Sequence, residues 1–535
     1  MKRKNISSLI FTFLLMPALS FSQSAVKTAS AAGERITVTY SKSPLLKNIE
    51  FNQLMKLTVY VPQGKDITYK NFQLQLNPAA VQAIEKLEVI VRDERQRSFL
   101  AGATFHGSSQ QISAVTNIPV NIPLHQGWNT IWFGTSLKSK ADIDKKVSIL
   151  LKSITTEKGY VHSVSQRTAG AAINFQGQYR LGIAIRKAWD DSVHTYRIPG
   201  ITTTDKGTLI AVYDIRYKHS GDLPANIDVG MSRSTDGGRS WEPMKIIMDM
   251  GPPHENNGIG DPAILFDPIT KKIWVAALWS KGNRSIAGSK PGLSPDTTGQ
   301  FVLVSSDDDG LSWSQPYNIT SQVKNPAWHL YFNGPGNGIA MKNGTLVFPS
   351  QYWDETTKPA SVGIPHSSII YSDDHGKTWK SGIGAKSNTT EAQVIETTPG
   401  TLMLNMRDNR GKYRSVATTT DMGKTWVEHP TSYSALPDPV CMAGFTKASF
   451  NIRGQKKEIV FFSNVASQTS RNHTSIKAST DLGETWPSKY HLLLDERNGY
   501  GYSAIIKVDD NTLGIIYEGE RDLYFMRIPV NDIIR

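Results

Sequence analysis

The sequence has one cysteine, Cys441, among its 535 residues. This excludes a disulfide framework within the chain and a cysteine-rich zinc site, and Cys441 is predicted to be a small buried hydrophobic residue. The 12 histidines contain no HExxH motif and no close pair at helical spacing, so neither a metal nor another cofactor is predicted. Charged residues make up 20% of the chain and hydrophobic residues 39%, a composition typical of folded globular proteins.

Long apolar runs are also missing, and only the N-terminus comes close to one. Lys2, Arg3 and Lys4 precede a mostly apolar stretch over 6–19, which is short for a bilayer span. Small residues near Ser22 suit signal peptidase, so residues 1–22 are predicted to be a signal peptide. Without a cysteine there, a lipoprotein anchor is excluded. The protein is therefore expected to be periplasmic or secreted, with no membrane span.

The charge balance is mildly basic. Lys and Arg number 59 against 47 Asp and Glu, a formal charge of +12, which becomes +9 once the three basic residues of the signal peptide are removed. Such a balance favours an anionic ligand only weakly. No basic run with interleaved aromatic residues is present, so no nucleic-acid partner is predicted. The sequence gives no oligomeric state.

The chain divides into two parts near residue 170. Residues 23–34 are small and polar and are predicted to be a linker. From 35 to 170, alternating apolar and polar residues, as at 36–40, 57–61, 72–76 and 147–151, predict an N-terminal β-sandwich. Residues 167–174 are interpreted as the connector to the second part, 175–535.

An eight-residue repeat, Ser/Thr-x-Asp-x-Gly-x-Ser/Thr-Trp, marks the second part. We call each copy a box; the five copies are STDGGRSW at 234–241, SDDDGLSW at 306–313, SDDHGKTW at 372–379, TTDMGKTW at 419–426 and STDLGETW at 479–486. Successive boxes are separated by about 61 residues on average, one four-stranded propeller blade. The 361 residues of 175–535 then make about six blades. One blade either lacks the box or is closed by strands from both ends.

The boxes themselves are predicted to be structural. Asp and Ser/Thr side chains satisfy donors in a turn, Gly adopts a positive φ, and Trp packs between sheets. Unrelated propellers carry such boxes, so they indicate architecture and not activity. The predicted fold class is therefore all-β: a six-bladed β-propeller domain preceded by a β-sandwich domain.

Together with the sequence YRIPG at 196–200, the five boxes in this order resemble the bacterial exo-α-sialidase (neuraminidase) family. The resemblance covers about residues 175–535. It implies a six-bladed propeller that hydrolyses terminal α-linked sialic acids from glycoproteins, glycolipids and oligosaccharides with retention. Sialidases use a tyrosine nucleophile, unlike most glycosidases.

Three arginines match those with which the family binds the sialic acid carboxylate. They are Arg197 in the RIP motif, Arg407 just before the fourth box and Arg471 just before the fifth. Guanidinium groups bind a carboxylate through paired, directional hydrogen bonds that lysine does not reproduce. Each of them precedes a box by a comparable stretch, which is consistent with strands of different blades that point at one axis.

A tyrosine and a glutamate match the family's nucleophile and its base. A neutral tyrosine hydroxyl avoids the repulsion that a carboxylate nucleophile would meet from the substrate, provided that a base removes its proton. Tyr502 is the candidate nucleophile, with Tyr500 as its rival. Glu391 is the candidate base, with Glu396 as its rival.

Asp222 matches the family's acid/base residue, which protonates the leaving group and later activates water. It lies in the sequence SGDLP at 220–224, as expected for a mobile loop. On residue chemistry alone, a solvated turn aspartate is the commoner interpretation. A neighbouring substrate or carboxylates are expected to raise its working pKa.

Three further residues are supporting candidates by the same resemblance. Arg216 resembles an arginine that binds the far side of the sugar ring, Asp261 an aspartate near the N-acyl group, and Glu518 a carboxylate that orients the first arginine. Each is also consistent with an ordinary strand residue.

Two alternatives to hydrolysis stay open at this stage: a sialic-acid-binding lectin or adhesin without chemistry, and a trans-sialidase variant. The N-terminal domain resembles accessory carbohydrate-binding modules, and a spacer without a ligand is an equal alternative. Trp128 or Trp132 could stack on a sugar there, although core packing is the expected role of both.

Overall fold

The computed structural model describes residues 26–29, 34–92, 100, 102–164, 177–284, 286–354 and 363–534. The predicted signal peptide, 1–22, and the predicted connector, 167–174, lie outside these ranges. Within the segment predicted as a linker, the structure has a short strand, β1 (Val26–Ala29). In the described part of the chain, no helix has the length and apolar character needed to cross a membrane.

Within the described residues, the N-terminal region contains eleven strands and one helix. They are β1, β2 (Arg35–Tyr40), β3 (Leu45–Lys47), β4 (Asn52–Val61), β5 (Ile67–Leu76), α1 (Pro78–Ala83), β6 (Ile84–Val91), β7 (Thr104–Ser109), β8 (Val115–Leu124), β9 (Gly127–Leu137), β10 (Lys146–Thr156) and β11 (Val161–Ser163). One sheet has the order β1-β2-β4-β9-β6-β7, and β10-β5-β8 belong to a second. Alternate side chains of both sheets fill one shared core.

The four segments with alternating hydrophobicity fall within β2, β4, β5 and β10, as predicted. The short helix α1 was not predicted. It begins because Asn77 caps it, with its side chain accepting a hydrogen bond from the Ala80 amide at 2.9 Å, and because Pro78 suits the first helical turn.

The remaining strands of the described residues form six consecutive, mainly antiparallel sheets, which we number I to VI. Sheet I contains β13 (Thr195–Thr203), β14 (Leu209–Arg216), β15 (Ile227–Ser234) and β16 (Lys245–Met248); sheet II contains β17 (Asn257–Phe266), β18 (Ile273–Lys281), β19 (Gln300–Ser306), β20 (Tyr317–Asn318) and β22 (Gly336–Asn337); sheet III contains β21 (Leu330–Asn333), β23 (Ile339–Ala340), β24 (Leu346–Asp354), β25 (Ile364–Ser372), β26 (Lys380–Ser381) and β27 (Lys386–Ser387).

Sheets IV to VI continue the series. Sheet IV contains β28 (Thr389–Glu396), β29 (Leu402–Asp408), β31 (Ser415–Thr419) and β32 (Val427–Glu428); sheet V contains β34 (Gly444–Ile452), β35 (Gln455–Val465), β36 (Thr474–Ser479) and β37 (His491–Asp495); sheet VI contains β38 (Ser503–Asp509), β39 (Thr512–Glu518), β40 (Leu523–Pro529) and β12 (Gln178–Arg186). A small separate pair is β30 (Lys412–Tyr413) with β33 (Pro437–Asp438). The other helices are α2 (Thr320–Val323) and the 3₁₀ turns Asp190–Ser192, His254–Asn256, Ser488–Tyr490 and Val530–Asp532.

Each sheet packs against the next, and sheet VI packs against sheet I through β38 and β13. In sheets I to V a box follows the third long strand, whereas sheet VI has none and takes β12 from the other end of the region. In the first box, Asp236 accepts hydrogen bonds from the Ser240 amide and hydroxyl, and the Ser234 hydroxyl accepts from the Gly238 amide at φ 85°. Trp241 meets Phe525 edge-on at 5.1 Å between ring centroids. The boxes are therefore turns, as predicted.

The two regions are joined by backbone and by charge. Strand β12 pairs with β10 on one side and β40 on the other, so the second N-terminal sheet continues into sheet VI. Asp532 pairs with Lys146 at 2.7 Å and with Arg180 at 2.5 Å. Across the same junction, the Arg527 Nε lies 2.6 Å from Asp144. These contacts hold the N-terminal region against sheet VI.

Candidate active site

A cavity of about 440 Å³ lies where the first strands of the sheets meet. Seven of the nine residues predicted from the sequence line it: Arg197, Asp222, Asp261, Glu391, Arg407, Arg471 and Tyr502. The other two, Arg216 and Glu518, are buried directly behind this wall. Residues up to 305 positions apart in the chain are thus brought to one place.

Several of these side chains lie next to irregularities in the backbone of their strands. Strands β13, β17 and β28 each have a register shift at the cavity, next to Arg197, Asp261 and Glu391 respectively. Ile198 and Asp261 have φ values of 57° and 56°, and each precedes a proline. Positive φ is unfavourable for a β-branched residue such as Ile198, and strain of this kind concentrates at functional sites. Bulges also redirect side chains out of the regular alternation.

Tyr502, Glu391 and Arg407 form a connected hydrogen-bonded group. The Tyr502 hydroxyl donates to Glu391 Oε1 at 2.5 Å, and Arg407 Nη1 donates to the Tyr502 oxygen at 2.9 Å and to Glu391 Oε2 at 2.6 Å. Burial, then the charge of Glu391, raises the pKa of Tyr502 well above its usual value, while Arg407 and Arg197 oppose the shift. The phenol is therefore neutral on its own, and Glu391 is in place to accept its proton.

Glu518 ties the first arginine to the tyrosine. Its carboxylate accepts from Arg197 Nε at 3.1 Å, from the Ile198 amide at 2.8 Å and from the Tyr502 amide at 2.9 Å. Buried carboxylates need such partners, and these three fix the relative position of β13 and the start of β38. This geometry suits the role predicted for Glu518, to orient Arg197, and that role stays a prediction.

The arginines keep hydrogen-bonding capacity for a ligand. Arg471 donates to the carbonyls of Tyr500 and Val440, both at 3.0 Å, and has no carboxylate partner among the residues that the structure describes. The Nε of Arg407 is buried and, within the described ranges, has no hydrogen-bond partner. Cations that line a cavity without full compensation favour a bound anion.

Asp222 lies at the cavity mouth, on the loop between β14 and β15. Its side chain is 79% exposed, and its Oδ1 accepts from Arg216 Nη1 at 2.6 Å and lies 3.5 Å from Arg197 Nη1. Desolvation by the surrounding cavity wall would by itself raise the pKa of Asp222, but Arg216 and Arg197 together hold it below its usual value. For the ligand-free protein this is opposite to the expected direction, because the nearest charges are guanidinium groups and not carboxylates.

Arg216, predicted to bind the far side of the sugar ring, lies behind the cavity wall next to Asp222. It is only 1% exposed and does not line the cavity. Its guanidinium donates to Asp214 at 2.8 Å, to the Ser220 carbonyl at 2.7 Å and to Asp222. In this structure it orients the Asp222 loop, while a direct contact with substrate stays a prediction.

Asp261 faces the cavity from sheet II. Its amide donates to Asp214 Oδ1 at 2.8 Å, and its carbonyl accepts from Asn333 at 2.6 Å. Burial, with Asp214 and Asp222 nearby, holds the pKa of Asp261 well above its usual value. A protonated Asp261 could donate a hydrogen bond to a ligand.

The rivals of Tyr502 and Glu391, namely Tyr500 and Glu396, do not line the cavity. The Tyr500 ring lies against Arg197, with 4.2 Å from the guanidinium carbon to the ring centroid, and Tyr500 does not line the cavity. Glu396 lies at the other end of β28, where it accepts from the amides of Lys342 and Gly400. Cys441 is fully buried, as predicted, and packs in the same cluster as Tyr502.

Ten cavity residues were missed by sequence reasoning. The apolar ones are Ile198, Leu223, Leu278, Ile286, Ala287, Phe332 and Trp353, and the polar ones are Gln351, Thr390 and Asn409. For some of them the sequence held a usable signal, since residues two apart on a strand share one face of the sheet. Gln351 and Trp353 are two apart on β24, and Asn409 lies two residues after Arg407. The apolar group, in which Phe332 stacks on Trp353 at 5.7 Å, gives the cavity a hydrophobic side.

No group of three or more His, Cys, Asp or Glu side chains suited to a metal ion occurs within the described ranges. The groups at the cavity are a tyrosine with an adjacent carboxylate, a separate aspartate at the mouth and a set of arginines. Together with the all-β sheets, they define a glycoside hydrolase whose site fits an anionic ligand.

Comparisons with known proteins agree with this class. The model of the BNR repeat-like domain matches residues 207–515. A sialidase from Bacteroides fragilis (strain YCH46) is 45% identical over 424 residues, which cover 77% of this chain and 75% of that protein. A sialidase from Micromonospora viridifaciens is 32% identical over 329 residues, and the match spans 60% of this chain and half of that protein. The solved structure of Hadza microbial sialidase Hz136 superimposes with a TM-score of 0.83 at 35% identity, covering 93% of this chain and 99% of that one.

The chain belongs to the sialidase family. The similarity is not limited to the region of the boxes. The match with the Hadza sialidase covers 93% of the chain and so includes much of the N-terminal region.

Proposed function

We propose that this protein is a secreted, retaining exo-α-sialidase that removes terminal sialic acids from glycoproteins, glycolipids and oligosaccharides. One observation carries the proposal: the Tyr502 hydroxyl, hydrogen-bonded to Glu391, lines the same cavity as Arg197, Arg407 and Arg471. A tyrosine paired with a base suits attack on an anomeric carbon that bears a carboxylate. The sialidases to which the chain is similar support the substrate class.

In the first step, the three arginines bind the substrate carboxylate and hold the anomeric carbon near Tyr502. The tyrosine oxygen forms a bond to that carbon as its proton passes to Glu391. The bond to the aglycone oxygen breaks, and Asp222 gives that oxygen a proton. Arg407 contacts both Tyr502 and Glu391, so its charge stabilises the tyrosine oxygen as negative charge develops there.

In the second step, Asp222 takes a proton from a water molecule whose oxygen attacks the anomeric carbon. The bond to Tyr502 breaks, and the tyrosine oxygen recovers its proton from Glu391. Two inversions at the same carbon give net retention. The exposed position of Asp222 at the mouth suits a residue that meets both the aglycone and water.

The architecture proposed for 175–535 is a six-bladed propeller, with sheets I to VI as its blades. Support comes from the closed series of neighbouring sheets, from the boxes in five of them, and from β12, which would close the sixth blade with a strand from the other end of the region. A ring of blades places their first strands around one axis, where residues from distant parts of the chain meet.

Residues 35–170 are proposed to be a β-sandwich module, and one observation favours contact with glycans over a purely spacing role. Trp128, expected in the core, is 56% exposed instead. Its ring contacts Tyr60 edge-on at 5.2 Å, and Arg35 lies over both rings. An exposed aromatic ring of this kind can stack on a sugar face. Periplasmic or extracellular location remains a proposal that rests on the predicted signal peptide.

The test is to incubate the purified protein, without added metal, with a fluorogenic α-sialoside and to follow the released sugar by NMR. Release of the α-anomer first would support retention. Treatment with 2,3-difluorosialic acid should label a peptide that contains Tyr502, and the Tyr500→Phe variant should still be labelled. Saturable sialic acid binding without turnover would favour a lectin, and release of the β-anomer first would contradict the double displacement.

A further inference from the structure

A strained turn lies behind the cavity wall, over residues 438–441. Val440 in this turn has a φ of 63°, which is rare for a β-branched residue. Its carbonyl accepts a hydrogen bond from Arg471 Nη2 at 3.0 Å. The next residue, Cys441, packs in the cluster that contains Tyr502. The turn therefore binds one of the candidate carboxylate-binding arginines and shares a packed cluster with the candidate nucleophile.

Two buried side chains hold this turn in its conformation. Asp438 Oδ1 accepts from the Cys441 amide at 2.8 Å, and Arg414 Nη1 donates to the Cys441 carbonyl at 2.5 Å. The amide and the carbonyl of Cys441 are thus each held by a charged side chain. Strained backbone persists only where its surroundings determine it in this way.

Arg414 also reaches the other half of the site. It is fully buried, its Nη2 donates to the Glu391 carbonyl at 3.4 Å, and its Nε donates to Asn405 Oδ1 at 2.8 Å. Since Glu391 binds the Tyr502 hydroxyl, one guanidinium connects the backbone of the candidate base with the turn that seats Arg471.

Behind the turn, Arg414 and Asp438 belong to a network of buried polar side chains. Asp438 Oδ2 lies 3.9 Å from Arg414 Nη1 and accepts from Asn464 Nδ2 at 3.2 Å. Asn464 in turn accepts from the buried Lys477 at 2.5 Å. A buried ionic group of this kind contributes little net stability compared with apolar packing, so its value is expected to lie in fixing one geometry.

We propose that Arg414 and Asp438 are positioning residues for catalysis, which act through the turn 438–441 on Arg471 and through the Glu391 backbone on the Tyr502–Glu391 pair. The inference rests on the proposed function of those three residues. Neither Arg414 nor Asp438 lines the cavity, so neither is expected to touch the substrate.

The first experiment compares Arg414→Lys with the wild-type protein. Lysine keeps the charge but cannot donate to Cys441, Asn405 and Glu391 together, because it lacks the planar fork. We expect kcat/KM to fall between about 10-fold and 100-fold, with both a lower kcat and a higher KM, since small displacements of reacting groups have effects of this size.

Arg527→Lys is the matched control. Arg527 is another buried arginine with carboxylate and carbonyl partners, Asp144, Asp509 and Gly237, but it lies at the junction with the N-terminal region. The Arg527→Lys variant should lose about as much thermal stability as Arg414→Lys and should keep the wild-type kcat and KM. Wild-type kinetics in Arg414→Lys, or equal kinetic losses in both variants, would overturn the proposal.

Val440→Gly provides a second test that does not depend on the folding of Arg414→Lys. Glycine tolerates the positive φ, so thermal stability should be unchanged or higher, while the carbonyl that seats Arg471 gains freedom. We expect KM to rise about fivefold with little change in kcat, the result of weaker binding of ground state and transition state alike. An unchanged KM would contradict the inference.

The dissociation constant for free sialic acid, measured by calorimetry, separates this proposal from the proposed function. If the wild-type protein binds sialic acid but turns nothing over, the hydrolase function fails. Weaker binding by Val440→Gly would then still support the role of the turn, and unchanged binding would refute it.

Discussion

The conversion of Tyr502 to phenylalanine tests the core of the mechanism, because two interpretations of the hydroxyl predict different magnitudes. The change removes one oxygen that donates to Glu391 and accepts from Arg407. Arg407 and Glu391 still pair directly at 2.6 Å, so neither charge is left alone. The stability loss should therefore be only about 1 kcal/mol, the net value of an ordinary hydrogen bond.

The kinetic effect depends on what the hydroxyl does. If it only supports Glu391, the loss of about 1 kcal/mol corresponds to about a fivefold lower rate. If it is the nucleophile, the covalent route disappears, and we expect kcat to fall by at least about 10³-fold, or about 4 kcal/mol. Binding of sialic acid should stay within a fewfold of wild type, because the arginines are untouched.

The assay measures kcat and KM with a fluorogenic α-sialoside and the dissociation constant for sialic acid, at a temperature well below unfolding. Tyr500→Phe is the control, because its ring packs on Arg197 but its hydroxyl is outside the cavity. A loss of tenfold or less in Tyr502→Phe, with intact folding, would refute the assignment of the nucleophile.

Four further predictions concern the acid, its pH dependence, the carboxylate site and a buried lysine. Asp222→Asn should lower kcat on natural glycans by about 10²- to 10⁴-fold and less on a substrate with a good leaving group, since general acid catalysis matters most for poor leaving groups; a uniform loss would contradict this role. In the free protein, Arg216 and Arg197 hold the pKa of Asp222 below its usual value, so only a small fraction of this carboxyl is protonated above about pH 5, and that fraction falls about tenfold with each further pH unit. Wild-type kcat/KM should therefore fall from about pH 5 to about pH 8, and a flat profile would contradict this. Arg407→Lys should weaken sialic acid binding at least about tenfold despite the retained charge, as calorimetry can measure. Burial lowers the pKa of Lys477 from 10.5 to about 8, so between about pH 8 and pH 10.5 the unfolded state binds more protons than the folded state. In that range the free energy of unfolding, measured by chemical denaturation, should rise with pH more steeply in the wild-type protein than in Lys477→Met. The same pH dependence in both proteins would refute the shift.

Much of the architecture was readable because it depends on local patterns. Alternation of apolar and polar residues gave β2, β4, β5 and β10, and the boxes gave the turns that follow the third long strand of sheets I to V. The helix α1 was missed because a single cap and one proline mark only six residues. The exposure of Trp128 was also not predicted, since a tryptophan on an alternating strand has the same sequence pattern whether its face is covered or open.

The sequence by itself determined which residue types the site contains, because the motifs around Arg197, Arg407, Arg471, Asp222 and Tyr502 are local and matched a family. Only the tertiary structure decided how they act together. The choice of Tyr502 over Tyr500 depends on which ring faces the cavity, and these two side chains are separated by only one residue along the chain.

The same holds for the charges. The pKa of Asp222 is lowered because Arg216 and Arg197 approach it from β14 and β13, and Arg414 connects Glu391 with Cys441 across 50 positions of sequence. Electrostatic interactions depend on distance and burial. Neither quantity is encoded in a local pattern, so residue identity follows from the sequence, whereas protonation, orientation and support follow from the fold.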